Sequence, residues 1–218
     1  MNLIDLTIEH RGFARRSIAI SMRTAGACHG MRYRPDCRIL CGIGLFLVEP
    51  SGAGFRFQAR SRYLGPNDTP LDLLDWLQAL LPAKGAIISW DKWLPVPRRI
   101  AALADPERHS ALLKAAQDIG GRWRDLQYSD IWYLKQARSM PVPCVCLPHV
   151  QAADCEASAP LYLLPNASVA EPQLINEAIA GWQAWARMFA GFDSDLQAAG
   201  ALRALEAWQT AAPNAGRI

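Results

Sequence analysis

The hydrophobic run from Arg38 to Val48 (RILCGIGLFLV) is the feature that most constrains the fold. Its residues are apolar at consecutive positions, and neighbouring side chains of a strand point to opposite faces of a sheet. Both faces of this strand must therefore be covered by other parts of the chain. The run predicts an α/β fold in which an interior strand has helices on either side.

A turn sequence, Pro50-Ser51-Gly52-Ala53-Gly54, follows this run and leads into an alternating segment, Phe55 to Tyr63. Apolar and polar residues alternate there, with Phe55, Phe57 and Ala59 on one side and Arg56, Gln58 and Arg60 on the other. The pattern predicts a β-hairpin that presents its arginines outward.

The remaining periodicities predict helices and short strands. The segment Leu3 to Glu9 and the following RGFARRSIAISM have strand character, and Thr69 or Asp68 caps a helix that begins with Pro70. The expected elements are a helix from Pro70 to about Leu81, a strand over Ala86–Trp90, helices over Val96–Ala104 and His109–Ile119, a strand over Trp123–Leu126, and helices over Gln173–Phe189 and Ser194–Thr210. This order suits a mixed sheet with helices on its faces.

The length of 218 residues predicts a single domain covering residues 1–218. The stretch over 139–172 is rich in Pro, Cys, Ala and Ser, and we expect it to form a long irregular excursion. No segment approaches the roughly 18 to 20 apolar residues that span a bilayer. Asp5 and Glu9 do not fit a signal peptide, and six cysteines are too few for a disulfide scaffold. We therefore expect a soluble, cytoplasmic protein with reduced thiols and no membrane partner.

Positive charge is concentrated in the first third of the chain. Ten arginines lie between His10 and Arg62, with only Asp36 and Glu49 as acids, although the net charge of the whole chain is only +3. Clustered guanidinium groups bind phosphates in a bidentate manner, which indicates a nucleic-acid partner. The alternative is a general preference of this chain for arginine over lysine.

The strand predicted at Ala86 ends in the polar and aromatic turn Ser89-Trp90-Asp91-Lys92-Trp93. Ligands of α/β proteins bind beyond the carboxyl ends of strands, so Asp91 is a candidate functional carboxylate. Trp90 and Trp93 are candidates for stacking on nucleic-acid bases. The alternative is a solvated loop that covers two packed tryptophans.

Three spaced motifs carry a family resemblance: Ile4-Asp5-Leu6-Thr7, the stretch from Ser89 to Pro95, and the helical segment LINEAIAGWQAW that contains Glu177. In this order they resemble the DEDD family of 3′ to 5′ exonucleases, in particular the group related to the proofreading domains of family B polymerases. The resemblance implies a ribonuclease H-like, three-layer α/β/α fold with a mixed sheet. It also implies two Mg²⁺ or Mn²⁺ ions that cleave phosphodiester bonds of single-stranded DNA or RNA.

The resemblance further implies roles for individual residues. Asp5, Asp91 and Glu177 are the implied catalytic carboxylates, and Glu9 joins them as a metal ligand because it lies on the same side of a strand as Asp5. The segment Trp123-Arg124-Asp125-Leu126 matches an Asp-Leu strand of the relatives. The residues expected to contact nucleic acid are Arg56, Arg60, Arg62, Trp90 and Trp93.

Several positions depart from the family pattern. Thr7 and Ser89 replace a glutamate and an asparagine, Leu94 falls where the second motif carries its aspartate, and Gln173 lies where the family has its Tyr or His base. The first alternative is therefore a non-catalytic nucleic-acid-binding or assembly module on the same fold. The second alternative is a small zinc-stabilised domain, whose candidate ligands are Cys28, His29, Cys37, Cys41, Cys144, Cys146 and His149.

Overall fold

The computed structural model describes residues 12–26, 38–65, 67–90, 96–119, 121–126, 167–192 and 194–211. Within these ranges the chain forms five strands and five helices. The strands are β1 (Ser17–Gly26), β2 (Arg38–Ser51), β3 (Gly54–Tyr63), β4 (Ala86–Ser89) and β5 (Trp123–Asp125). The helices are α1 (Pro70–Leu80), α2 (Val96–Leu103), α3 (Ser110–Gln117), α4 (Ala167–Phe192) and α5 (Leu196–Ala211).

The five strands form one mixed sheet in the order β3-β2-β1-β4-β5. Strand β2 is antiparallel to both β1 and β3, whereas β4 is parallel to β1 and β5 is parallel to β4. Among the described strands, β2 alone therefore runs against the others. The prediction of an α/β fold with a mixed sheet is confirmed.

The predicted hairpin is also confirmed. Strands β2 and β3 pair from Ser51↔Gly54 to Gly42↔Tyr63, so Gly52 and Ala53 alone form the connection. Gly52 has a φ of 55°, a left-handed conformation that a two-residue hairpin turn requires and that glycine adopts without steric cost. The arginines of β3 lie outward, as the alternation predicts.

Helices cover both faces of the sheet, which gives three layers. Helices α4 and α5 pack on the first face, here called the α4 face, whose strand residues include Ala19, Phe46, Val48, Phe57 and Ile88. Helices α1, α2 and α3 pack on the second face, here called the α1 face, whose strand residues include Ile18, Ile20, Leu45, Ile87 and Trp123. Strand β2 is buried on both sides because Leu45 and Phe46 point to different cores.

Helix α1 begins as the sequence predicts. The Thr69 hydroxyl accepts a hydrogen bond from the Asp72 N–H at 3.4 Å, and the Asp72 carboxylate accepts one from the Thr69 N–H at 2.7 Å. This reciprocal capping satisfies backbone donors that have no partner within the helix, and Pro70 has no such donor to satisfy.

The start of α4 differs from the prediction. The irregular excursion was expected to reach residue 172 and the helix to begin at Gln173, but α4 begins at Ala167 and contains Pro172. A proline inside a helix removes one backbone hydrogen bond, yet residues on its N-terminal side can continue the helix when the rest of the helix is well packed. The rest of the predicted excursion, together with the segment Leu3 to Glu9, lies outside the described residues.

His109 follows Pro106-Glu107 at a helix start with a surface-like sequence, which predicts a solvated side chain, and this prediction is wrong. Its side chain is fully buried, and its Nδ1 atom accepts a hydrogen bond from the Asp105 N–H at 3.0 Å. The Nε2 atom lies 3.2 Å from a carboxylate oxygen of Asp75 on α1. The prediction failed because the sequence around His109 is polar, whereas its ring joins α1 to the turn that precedes α3.

Candidate functional site at the strand ends

Six of the carboxylates and aromatic or basic residues predicted to form the site lie within the described residues: Glu177, Asp125, Trp90, Arg56, Arg60 and Arg62. Asp5, Glu9, Asp91 and Trp93 lie outside the described residues. So do Cys28, His29, Cys37, Cys144, Cys146 and His149, the candidate zinc ligands other than Cys41. The described part of the candidate site therefore consists of the side chains around Glu177, those around Ser89, and the arginines of β3.

Glu177 lies on α4 and forms an ion pair with Arg23 of β1. The Arg23 Nη2 atom is 2.5 Å from Oε1 of Glu177, and the two side chains are only 33% and 25% exposed. Arg23 lies on the same α4 face as Ser21 because residues two apart in a strand point to the same side of the sheet. The carboxylate that the family resemblance assigns to a metal thus has a guanidinium as its neighbour.

The contact between β1 and α4 continues beside this ion pair. The Ser21 hydroxyl donates a hydrogen bond of 2.6 Å to the backbone carbonyl of Leu174 on α4. Leu174 itself is fully buried against Cys41 and Tyr63. Gly44 of β2 has no side chain to hold α4 away from the sheet, so the helix backbone approaches the strand directly.

Cys41 and Tyr63 complete this cluster at the end of the sheet. The Cys41 thiol donates to the backbone carbonyl of Arg23 at 3.3 Å. Burial is the main cause that raises the pKa of the Tyr63 phenol, and the adjacent Cys41 thiol adds to the effect. The environment of the phenol therefore favours its neutral form.

A second cluster lies on the α1 face, at the carboxyl ends of β4 and β5. The Ser89 hydroxyl donates to Oδ2 of Asp125 at 2.7 Å and accepts from the indole N–H of Trp123 at 2.8 Å. All three residues are at most 1% exposed. The Ser89 carbonyl also accepts the N–H of Leu126 at 2.9 Å. The network joins the ends of two parallel strands through buried hydrogen bonds.

The register of the sheet places these two clusters on opposite faces. Ser89 pairs with Ile20 and with Asp125, and their side chains point to the α1 face, whereas Ser21 and Arg23 point to the α4 face. Arg23 was not predicted as a site residue, and the contact between Ser89 and Asp125 was not predicted either. The contact between Ser89 and Asp125 was predictable in principle, because the carboxyl ends of neighbouring parallel strands meet at one edge of a sheet.

Trp90 follows Ser89 at the end of β4. It is half-buried and packs against the core beneath α4, so part of its ring area already contacts protein. It does not lie beside the arginines of β3, because strands β2 and β1 separate β4 from β3, a distance of roughly 14 Å across the sheet.

Two of the three arginines of β3 have carboxylate neighbours. Arg56 forms an ion pair of 2.6 Å with Glu49, and Arg62 forms one of 3.2 Å with Asp68. Arg60 donates a long hydrogen bond of 3.5 Å to Oε1 of Gln58. The hydrogen bond from Arg56 is the main cause that lowers the pKa of Glu49, and the charge of Arg16 contributes as well.

No group of three or more His, Cys, Asp or Glu side chains within the described residues has an arrangement that could hold a metal ion. Of the four carboxylates implied as metal ligands, only Glu177 belongs to the described residues, and its neighbour is Arg23. A membrane span would need a long, apolar helix, and the described helices include none.

The chain was compared with protein-family models, with curated proteins and with solved structures, and none of the three comparisons found a match.

Proposed function

We propose that this chain is a nucleic-acid-binding module on a ribonuclease H-like architecture, and that the carboxylate site of the nuclease relatives is replaced by an ion pair. The observation that carries the proposal is the contact between Arg23 and Glu177, at 2.5 Å between α4 and the α4 face of β1. A carboxylate held by a guanidinium has less negative charge to offer a divalent cation, and the cation would be repelled by the arginine.

The sheet supports the architectural part of this proposal. The resemblance implies a three-layer fold with a mixed sheet, and the sheet β3-β2-β1-β4-β5, in which β2 is antiparallel to both of its neighbours, is mixed. Helices on both faces agree with this fold too. Because one fold can serve many functions, the nucleic-acid partner is supported by the charge of the strands and not by the fold alone.

The charge of the hairpin and β1 supports a polyanionic partner. Residues 12–26 and 38–65 contain the arginines 15, 16, 23, 38, 56, 60 and 62, whereas Glu49 is their only acid. Guanidinium groups bind phosphate oxygens through paired N–H donors, and binding of this kind weakens as salt is added. We therefore expect salt-sensitive binding to single-stranded DNA or RNA.

The second candidate is an active Mg²⁺- or Mn²⁺-dependent 3′ to 5′ exonuclease. The mixed sheet between two layers of helices is consistent with it as well, and Asp5, Glu9 and Asp91 remain its proposed ligands together with Glu177. In that case the metals would have to compete with Arg23 for Glu177. Asp5→Ala and Glu177→Gln would then each abolish turnover, since two-metal catalysis depends on the full set of carboxylates.

One experiment tests both candidates. The full chain is incubated with end-labelled single-stranded DNA and RNA, with Mg²⁺ or Mn²⁺, and both binding and shortening of the strand are measured. We expect binding that weakens steeply with salt and no shortening, and we expect Glu177→Gln to leave binding intact. Shortening that is lost in Asp5→Ala and Glu177→Gln, but retained in the matched surface variant Glu206→Gln, would establish the nuclease instead. An absence of binding to either nucleic acid would contradict both.

A further inference from the structure

A row of charged side chains crosses the amino-terminal end of β1 on the α1 face of the sheet. Ser17 pairs with Val48, so the preceding residue, Arg16, lies next to Glu49, and Glu49 pairs with Arg56 on β3. Two guanidinium groups thus flank one carboxylate across three strands. The Cα atoms of the two arginines are about 10 Å apart, since neighbouring strands are separated by about 4.8 Å.

The backbone holds Arg16 in this row. Its carbonyl accepts a hydrogen bond from the Ala86 N–H at 3.1 Å. Gly85, with a φ of 108°, lies against the same carbonyl, and a Cβ atom there would be only 2.4 Å from the carbonyl oxygen. Arg16 therefore projects from a fixed point of the sheet rather than from a free segment.

Glu49 orients the row without neutralising it. Its carboxylate receives the hydrogen bond from Arg56, and the positive charge of Arg16 lies close enough to lower the pKa of the same carboxylate. Two positive charges and one negative charge leave a net charge of +1. Arg56 is 63% exposed, so its remaining N–H donors face solvent.

The basic surface continues along β3. Arg60 lies on the same side as Arg56, about 13 Å further along the strand, with Gln58 between them. All three side chains are exposed. Arg62 is the next arginine on this side, but it is held by Asp68 and is less exposed. The phosphate-binding part of the strand is therefore its first two thirds, nearer the hairpin turn.

We infer that Arg16, Arg56 and Arg60 form the surface that binds the phosphates of single-stranded nucleic acid, with Glu49 orienting Arg16 and Arg56. The inference rests on the proposed function and specifies its interface. Guanidinium groups offer paired donors to phosphate oxygens as they do to carboxylates, so the choice of phosphate rests on the proposed function and is tested below by competition with polyaspartate. Trp90 lies outside this surface, because it packs against the core on the α4 face and β4 is three strand positions away from β3.

The test measures binding of a labelled oligothymidylate by the full chain over a range of salt concentrations. The double variant Arg56→Ala/Arg60→Ala should reduce the slope of log affinity against log salt by about 1.4, since each phosphate contact on a single strand contributes about 0.7. Arg203→Ala on α5 removes one positive charge, as each of the two substitutions does, but from the other side of the molecule, and is the control. It should leave the slope unchanged.

Glu49→Gln provides a test in the opposite direction. It removes the one negative charge of the row, so binding should become tighter at low salt, with a gain that fades as salt screens the surface. The Gln side chain keeps an amide oxygen that can accept the hydrogen bond from Arg56, so the orientation of the row is retained while its negative charge is removed. Weaker binding at low salt would contradict the place of Glu49 in this surface. Equal competition by polyaspartate at the same charge concentration would overturn the assignment to phosphate.

The results separate this inference from the proposal on which it rests. If the unmodified chain binds neither oligothymidylate nor single-stranded RNA, the proposed function fails and the interface fails with it. If the unmodified chain binds, but the double variant keeps both affinity and slope, only the interface is overturned. A loss in Arg203→Ala equal to that of the double variant would also overturn it.

Discussion

Gly44 determines how closely α4 approaches the sheet. A Cβ atom at this position would lie 2.4 Å from the carbonyl carbon and oxygen of Leu174, which is a backbone contact that no side-chain rotation can relieve. The same carbonyl accepts the Ser21 hydroxyl at 2.6 Å, so moving the helix outward would also break this hydrogen bond. A single missing methyl group thus permits the contact that brings Glu177 to Arg23.

We predict that Gly44→Ala lowers the free energy of unfolding by about 1 to 3 kcal/mol, the usual cost of inserting a group into a packed interior. Urea unfolding followed by circular dichroism measures the change. Gly54→Ala is the matched control in the same hairpin, because the nearest atom to a Cβ there is the Ser51 carbonyl oxygen at 3.8 Å. It should change stability by less than about 0.5 kcal/mol. Equal losses in the two variants would contradict the role of the close approach.

At the scale of elements, α1 is tied to the turn before α3 by Arg108. Its Nε atom donates to Asp75 at 2.9 Å, and its Nη2 atom contacts both Asp75 and Asp72, the latter at 3.1 Å. The hydrogen bond from Arg108 is the main cause that lowers the pKa of Asp75. The pKa of Asp72 is lowered mainly by the Thr69 N–H of the helix cap, and less by Arg108.

The effect of pH on the stability of the protein follows from the lowered pKa values of Asp75 and Asp72. A carboxyl group whose pKa is lower in the folded state contributes stability above its unfolded pKa, which is about 4 for Asp, and loses it as the pH falls through the folded value. Arg108→Gln removes the main cause of the lowered pKa of Asp75. We therefore predict that the urea midpoint of Arg108→Gln lies below that of the parent at neutral pH, and that the two midpoints converge as the pH falls below about 4.

The control for this prediction is Arg203→Gln, since Arg203 is exposed on α5. Its midpoint should follow that of the parent at every pH. A gap for Arg108→Gln that stays constant down to acidic pH would show that the guanidinium acts through packing and not through the carboxylates.

The elements that the sequence predicts well are those with local signals. The bounds of β3 and α1 follow from strict alternation, from the hairpin glycine and from the Thr69 cap, all of which act within a few residues. The start of α4 was missed because a proline usually marks the first turn of a helix, whereas Pro172 lies within α4. Asp195, rather than Ser194, caps α5 by accepting the N–H groups of Gln197 and Ala198.

The contacts of the candidate site could not be predicted from local sequence signals, because they join residues that are far apart in the chain. Arg23 and Glu177 are separated by 154 residues, and Ser89 and Asp125 by 36. Alternation along β1 assigns Arg23 to a face, but only the packing of α4 determines which acid it meets. The outward direction of the β3 arginines was predictable, whereas their pairing with Glu49 and Asp68 depends on the register of the sheet and on the turn before α1.

At the scale of the whole molecule, the sheet lies between two hydrophobic cores and contributes side chains to both. Strand β2 contributes Phe46 to the core beneath α4 and Leu45 to the core beneath α1. Neither core can be lost while β2 keeps its pairing and its burial on both sides. The described elements should therefore unfold as one cooperative unit.

Leu77 of α1 allows a test of this coupling, because it is fully buried and packs only in the core on the α1 face. We predict that Leu77→Ala lowers the free energy of unfolding by about 2 to 5 kcal/mol, through lost contacts and the cavity that remains. Hydrogen exchange measured by mass spectrometry in low urea should show equal losses of protection in peptides from α1 and from α4, although α4 packs on the other face. Amides that exchange only when the whole molecule unfolds must share its change in free energy. Loss of protection in α1 with α4 unchanged would therefore mean that the two cores unfold separately.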